Sequence, residues 1–140
     1  VRDMTKYNYT YQSFSSTVDS YLNANNGLEE VSLIKVDVEG LELEVLKGAE
    51  NCIDKYKPFI LFESLPVGPK NGKRYQYLKE KANNLYNYLF NHDYKVFLIE
   101  KNSNIVPINN LITHKSYRYM QFIAIHNKRY NSFMRNNYRI

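Results

Sequence analysis

The chain has 140 residues, 44% of them hydrophobic and 24% charged, a formal net charge of +5 and a pI near 9.2. These totals suit one soluble domain with a single hydrophobic core. They exclude a membrane-spanning chain, since no apolar run approaches the length needed.

Other composition features narrow the class further. The single cysteine, Cys52, rules out an internal disulfide. His92, His114 and His126 have no partner at metal-ligand spacing, so no metal centre is expected. No charged-then-apolar leader is present, and a cytoplasmic, reducing setting is expected. The chain starts at Val1 rather than Met, so it is expected to be processed or part of a longer protein. The basic balance favours anionic partners in general, but a lysine-rich solvated surface explains it as well.

Alternation of Tyr7, Tyr9 and Tyr11 predicts an edge strand near the start. Thr17 to Leu22 predicts a short helix capped by Thr17 or Ser16, and Asn25-Asn26-Gly27 a turn. Val31 to Val38 is nearly continuous apolar and β-branched, as in a strand covered on both faces. It runs into Asp37, Glu39 and Gly40, where Gly40 permits a tight turn. The spacing of Val45, Leu46, Ala49 and Ile53 predicts one helix from Leu41 to Tyr56, ended by Pro58.

Phe59 to Phe62 predicts a second buried strand, closed by Glu63. Ser64 then opens a Pro/Gly loop with a basic end, and such loops at strand ends often bind substrate. Leu78, Ala82, Leu85 and Leu89 predict a long helix from Tyr75 to Asn91. Strands are predicted over Lys95 to Glu100 and Met120 to Ile125, with a turn at Asn102-Ser103-Asn104 between them. The last strand follows without a helix, so it is expected to lie antiparallel to its neighbours. Residues 128–140 form a basic, aromatic tail. It resembles single-strand binders in composition, but no nucleic-acid motif supports that and a solvated tail is the plainer reading.

The run Leu33-Ile34-Lys35-Val36-Asp37-Val38-Glu39-Gly40, followed by Glu42, Leu46-Lys47-Gly48-Ala49, Lys57-Pro58 and Glu63, resembles the FkbM-type methyltransferases. Thr17 to Leu22 is similar to the segment that precedes this block in the family. The best-matching block is 16–63. The resemblance implies an α/β fold, a Rossmann-like sheet of seven strands, with Lys35 to Glu39 on the fourth and Phe59 to Phe62 on the fifth. It also implies S-adenosylmethionine as methyl donor and a hydroxyl acceptor on a sugar or small metabolite. The family's glycine-rich turn has no counterpart before Gly27. The 140 residues are therefore expected to form a single partial domain, the C-terminal half, ordered strand–helix–strand–helix–strand–strand. Most of the cofactor-binding half is expected to be missing from it. Such a chain is expected either to work as a methyltransferase or to be an inactive remnant acting as an interaction module.

Methyl transfer requires an acceptor oxygen to be aligned and usually deprotonated. Asp37 is the first choice for that role and for contact with the cofactor, against the plainer reading that it caps the following helix. Glu39 would project to the same side if the strand continued. It could share a proton with Asp37, bind a cation through oxygen, or merely serve the helix N-terminus. Glu42, Glu63 and Ser64 are candidates for substrate binding, Glu42 with dipole compensation as its alternative and Glu63 with a solvated strand end. Lys35 interrupts an apolar strand, as a snorkelling side chain or as a partner of a carboxylate. Val31 to Val38 should expose an apolar edge where its missing neighbour would lie. Tyr7 to Tyr11 must cover that edge, or the chain must self-associate through it.

Overall fold

The computed structural model describes residues 12–64, 72–100, 102–111 and 121–137. The proposed edge strand at Tyr7 to Tyr11 and most of the loop after Ser64 lie outside them. Helix α1 (Val18–Ala24) leads to strand β1 (Leu33–Val36), helices α2 (Glu42–Lys47) and α3 (Glu50–Tyr56), and strand β2 (Phe59–Glu63). Helix α4 (Lys73–Asn91), strands β3 (Tyr94–Ile99), β4 (Ile105–Pro107) and β5 (Gln121–His126), and helix α5 (Asn127–Asn137) follow.

The sheet order is β1-β2-β5-β3-β4. β1 and β2 run parallel, joined by a helical crossover, and β5 inserts antiparallel between β2 and β3, as expected. This mixed five-stranded α/β sheet, with helices on both faces, is consistent with the partial Rossmann-like domain expected from the sequence. Register partners show a side chain to the same face. One face carries Ile34, Val36, Ile60, Phe62, Phe122 and Ala124. It packs with Leu46 and Ile53 from α2 and α3 and with Ala82, Leu85 and Leu89 from α4. At its centre Phe62 and Phe122 stack with centroids 5.4 Å apart. The opposite face carries Leu33, Lys35, Leu61 and Glu63, with Ile123 beside them, and is covered only in part.

Four elements differ from the sequence expectation. β1 is shorter than Val31 to Val38. The single helix from Leu41 to Tyr56 is broken at Gly48 and Ala49. A Cβ on Gly48 would lie 3.2 Å from Thr17 Cβ, and Asp19 accepts from Asn51 N–H and Cys52 N–H at 2.9 Å each. Docking of α1 therefore interrupts one helix and caps the next. β4 was expected as loop; it is a three-residue strand paired with β3. The expected tail began at residue 128; instead α5 (Asn127–Asn137) is a helix seated on the half-covered face. Phe133 packs on Phe59 at 5.7 Å and Tyr130 on Phe97 at 6.0 Å. Arg129 donates to the Tyr56 carbonyl at 2.9 Å, and Lys95 lies 4.0 Å from the Tyr130 ring centroid. Positions 130 and 133 are one helical turn apart, so both rings meet the sheet.

Candidate active site at the ends of the parallel strands

β1 and β2 end side by side, and the chemistry-bearing residues of both follow at that edge. The pairing ends at Val36↔Phe62. Carried one residue further, it sets Asp37 level with Glu63 on the half-covered face. Both are exposed. Asp37 Oδ2 lies 3.4 Å from Lys35 Nζ, so Lys35 takes the carboxylate-pairing role. Glu63 accepts from Gln121 Nε2 at 3.3 Å. Asp37 is not the helix cap.

Glu39 departs from the strand. Val38 to Leu41 form a turn closed by Leu41 N–H to the Val38 carbonyl at 3.4 Å, with Glu39 at φ 53° and Gly40 at φ 102°. A non-glycine residue at positive φ is uncommon, and two in succession make a sharp elbow. Period-two alternation stops there, so it no longer places Glu39 beside Asp37. Its side chain is exposed.

Glu42 and Ser64 lie on the other side of the sheet edge. Glu42 is only 6% exposed, and its Oε1 accepts from Gly40 N–H at 2.8 Å. The carboxylate thus turns back to the elbow that precedes its own helix, where α2 has no capping side chain of its own. Lys81 reaches from α4 to donate to the Gly40 carbonyl at 2.7 Å. Its ammonium is held above the ordinary range, chiefly by hydrogen bonding with Tyr77 and further by the Glu44 and Glu42 charges, against partial desolvation. Ser64 is buried at the end of β2. Glu42, Ser64, Tyr77 and Lys81 line a common cleft of about 240 Å³ between α2 and α4.

The five candidates from the sequence therefore fall into two groups at one edge. Asp37 and Glu63 share the half-covered face, Glu42 and Ser64 share the cleft, and Glu39 sits in the turn between. Lys81 and Tyr77 were not singled out by sequence, because α4 reads as a core stripe. The one available signal is their i, i+4 spacing beside that stripe. Cys52 is buried, its thiol pushed up by burial and by the nearby Asp19 charge, so it suits packing rather than nucleophilic chemistry. Among the described residues, no three of His, Cys, Asp and Glu gather into a set able to hold a metal ion. No described helix is long and apolar enough to cross a membrane.

Residues 7–96 match the methyltransferase FkbM domain. The match covers more than half of the chain, which therefore belongs to the FkbM methyltransferase family. No curated protein and no solved structure matches it. Methyltransferases of this family usually use S-adenosylmethionine, and the matched span includes the whole acidic elbow.

Proposed function

We propose that this chain supplies the acceptor-side part of an S-adenosylmethionine-dependent methyl transfer to a hydroxyl oxygen of a sugar or small metabolite. The acidic elbow from Asp37 to Glu42, set at the end of β1 within the family-matching span, carries the reading. A hydroxyl oxygen that takes a methyl group must lose its proton, and an accessible carboxylate at a strand end can orient the hydroxyl and receive it. Asp37 is assigned that role, with Glu39 as the second carboxylate. Glu42, Glu63 and Ser64 are assigned to the acceptor.

The donor set also suits the cofactor. Carboxylate oxygens accept from ribose hydroxyls and ammonium groups and offset a sulfonium charge, and Asp37 is the residue assigned to that contact. When bound, S-adenosylmethionine supplies the electrophilic methyl group. A cytoplasmic setting suits a chain whose one cysteine is free.

A second reading is an inactive remnant that works as an interaction module. It is favoured by β1, which heads the sheet order and leaves Leu33 55% exposed. Calorimetric titration with S-adenosylmethionine separates the two. Binding that Asp37→Ala weakens supports the transferase. Absence of binding to the 140-residue chain favours the module.

A further inference from the structure

We infer that the cleft between α2 and α4 binds a compact, ammonium-bearing molecule about one ring in size, through Glu42, Ser64, Glu80 and the ring of Tyr77. The inference rests on the acceptor-side reading of Glu42 and Ser64 and narrows it to a cationic ligand.

Charge is the first argument. Glu42, Glu44 and Glu80 line the cleft, and Lys81 is the one cation among its lining residues. Lys81 donates to the Gly40 carbonyl and its single charge is shared between Glu42 and Glu44, and no described cation lies within 4.0 Å of any of the three carboxylates to form a direct ion pair. A carboxylate as buried as Glu42 is costly without a cationic partner. Its Oε1 is taken by the Gly40 N–H, and Oε2 has no hydrogen-bond partner among the described residues. No buried side-chain oxygen there is sealed without a partner, so Oε2 opens to the cleft.

Ser64 gives an independent argument. The residue is 8% exposed and lines the cleft, yet its hydroxyl has no bond among the described residues. By the same reasoning it faces the cavity, offering a donor and an acceptor to a bound molecule. Tyr77, 56% exposed, presents its ring at the mouth, where the Lys81 ammonium already stands 5.2 Å from the centroid. A cation is therefore an accepted neighbour of that ring. Leu43, Leu78 and Leu85 supply an apolar wall. The cleft volume, about 240 Å³, lies below the roughly 300–1,000 Å³ of sites for drug-sized ligands. It suits a compact ligand of about one ring.

The test is an amide NMR titration of the full chain with three ring-matched probes: cyclohexylamine, cyclohexanol and cyclohexanecarboxylate. Cyclohexylamine, protonated at pH 7, should shift the Gly40, Ser64, Tyr77 and Ala82 amides saturably. It should bind at least about tenfold more tightly than cyclohexanol, and the carboxylate should not bind. Glu42→Gln should weaken the amine but also touches the elbow, so Glu80→Gln, at an exposed position, is the second variant. Equal affinity for amine and alcohol, shifts that never saturate, or no shifts overturn the inference. No methyl donor takes part in this titration, so failure of S-adenosylmethionine to bind in the calorimetric experiment would count against the donor reading alone. Loss of the amine preference would count against the cleft alone.

Discussion

Lys81 donates a 2.7 Å hydrogen bond to the carbonyl of Gly40, 41 residues earlier in the chain. With Glu42 accepting the N–H of the same residue, both backbone groups of a buried glycine are satisfied by side chains. Neither strand nor helix ladder reaches this elbow, so the side chains replace them. Lys81→Met keeps the aliphatic stem and removes the donor. It should lower unfolding stability by about 1–2 kcal/mol, as for a charge-assisted bond at a half-buried site. The raised folded pKa fixes the pH window. The contribution is complete below the ordinary 10.5 and disappears only as pH rises through the higher folded value. Urea denaturation of both proteins at pH 7 reads the difference, and identical midpoints would mean that Glu42 alone holds the elbow.

Much of this arrangement was readable from residue order alone. Apolar runs and helical stripes marked β1, β2 and α4, and the strand–helix–strand order made β1 and β2 parallel. The long-range contacts were not readable. Val45, Leu46, Ala49 and Ile53 keep one helical phase across Gly48, so nothing local announces the break that Thr17 and Asp19 impose. Tyr130 and Phe133 looked like parts of a charged tail because their partners, Phe97 and Phe59, are distant in sequence. Glu42 read as dipole compensation because its bond to Gly40 depends on two successive positive-φ residues. β4 is three residues long and includes Pro107, too short to carry a period.

Asp19 explains why a helix so far upstream matters to the crossover between β1 and β2. Both of its carboxylate oxygens are used, one on Asn51 N–H and one on Cys52 N–H, at the start of α3. The residue in the capping position, Ala49, has no side chain able to do this. A carboxylate there also complements the helix dipole. Asp19→Ala should cost about 1–2 kcal/mol, in the range of lost N-caps. Asp19→Asn, which keeps one acceptor oxygen, should fall between. Denaturant midpoints of the three proteins check the order, and an Asn variant as unstable as the Ala variant would point to charge rather than hydrogen bonding.

His126 should make the fold pH-sensitive. It is 3% exposed, sits edge-on to Tyr94 at 5.1 Å, and accepts from Lys128 N–H through Nδ1 at 3.1 Å. Burial first, then the Lys57, Lys128 and Arg129 charges, lowers its pKa below the ordinary 6.5, against an opposing pull from Asp93. The unfolded chain therefore takes up the proton first. Stability from this residue is full above 6.5 and is lost as pH falls through the lowered folded value. Denaturation midpoints at pH 7.5 should exceed those at pH 5, and His126→Phe should shrink the gap. An unchanged gap in the variant would assign the dependence to other groups.

Among the described residues β1 pairs only with β2, so its outer edge presents unpaired backbone groups. Leu33 is 55% exposed on the adjoining face, beside the exposed Lys35. An apolar, uncovered edge strand recruits another strand unless charge opposes it. The 140-residue chain should therefore associate as concentration rises, seen as a growing mass in size exclusion with light scattering. Leu33→Lys adds a second cation to that face and should return the chain to monomer without lowering its thermal midpoint, since the side chain leaves little core contact behind. A monomer at every concentration would instead mean that another segment already covers the edge, with Tyr7 to Tyr11 the first to delete in checking that alternative.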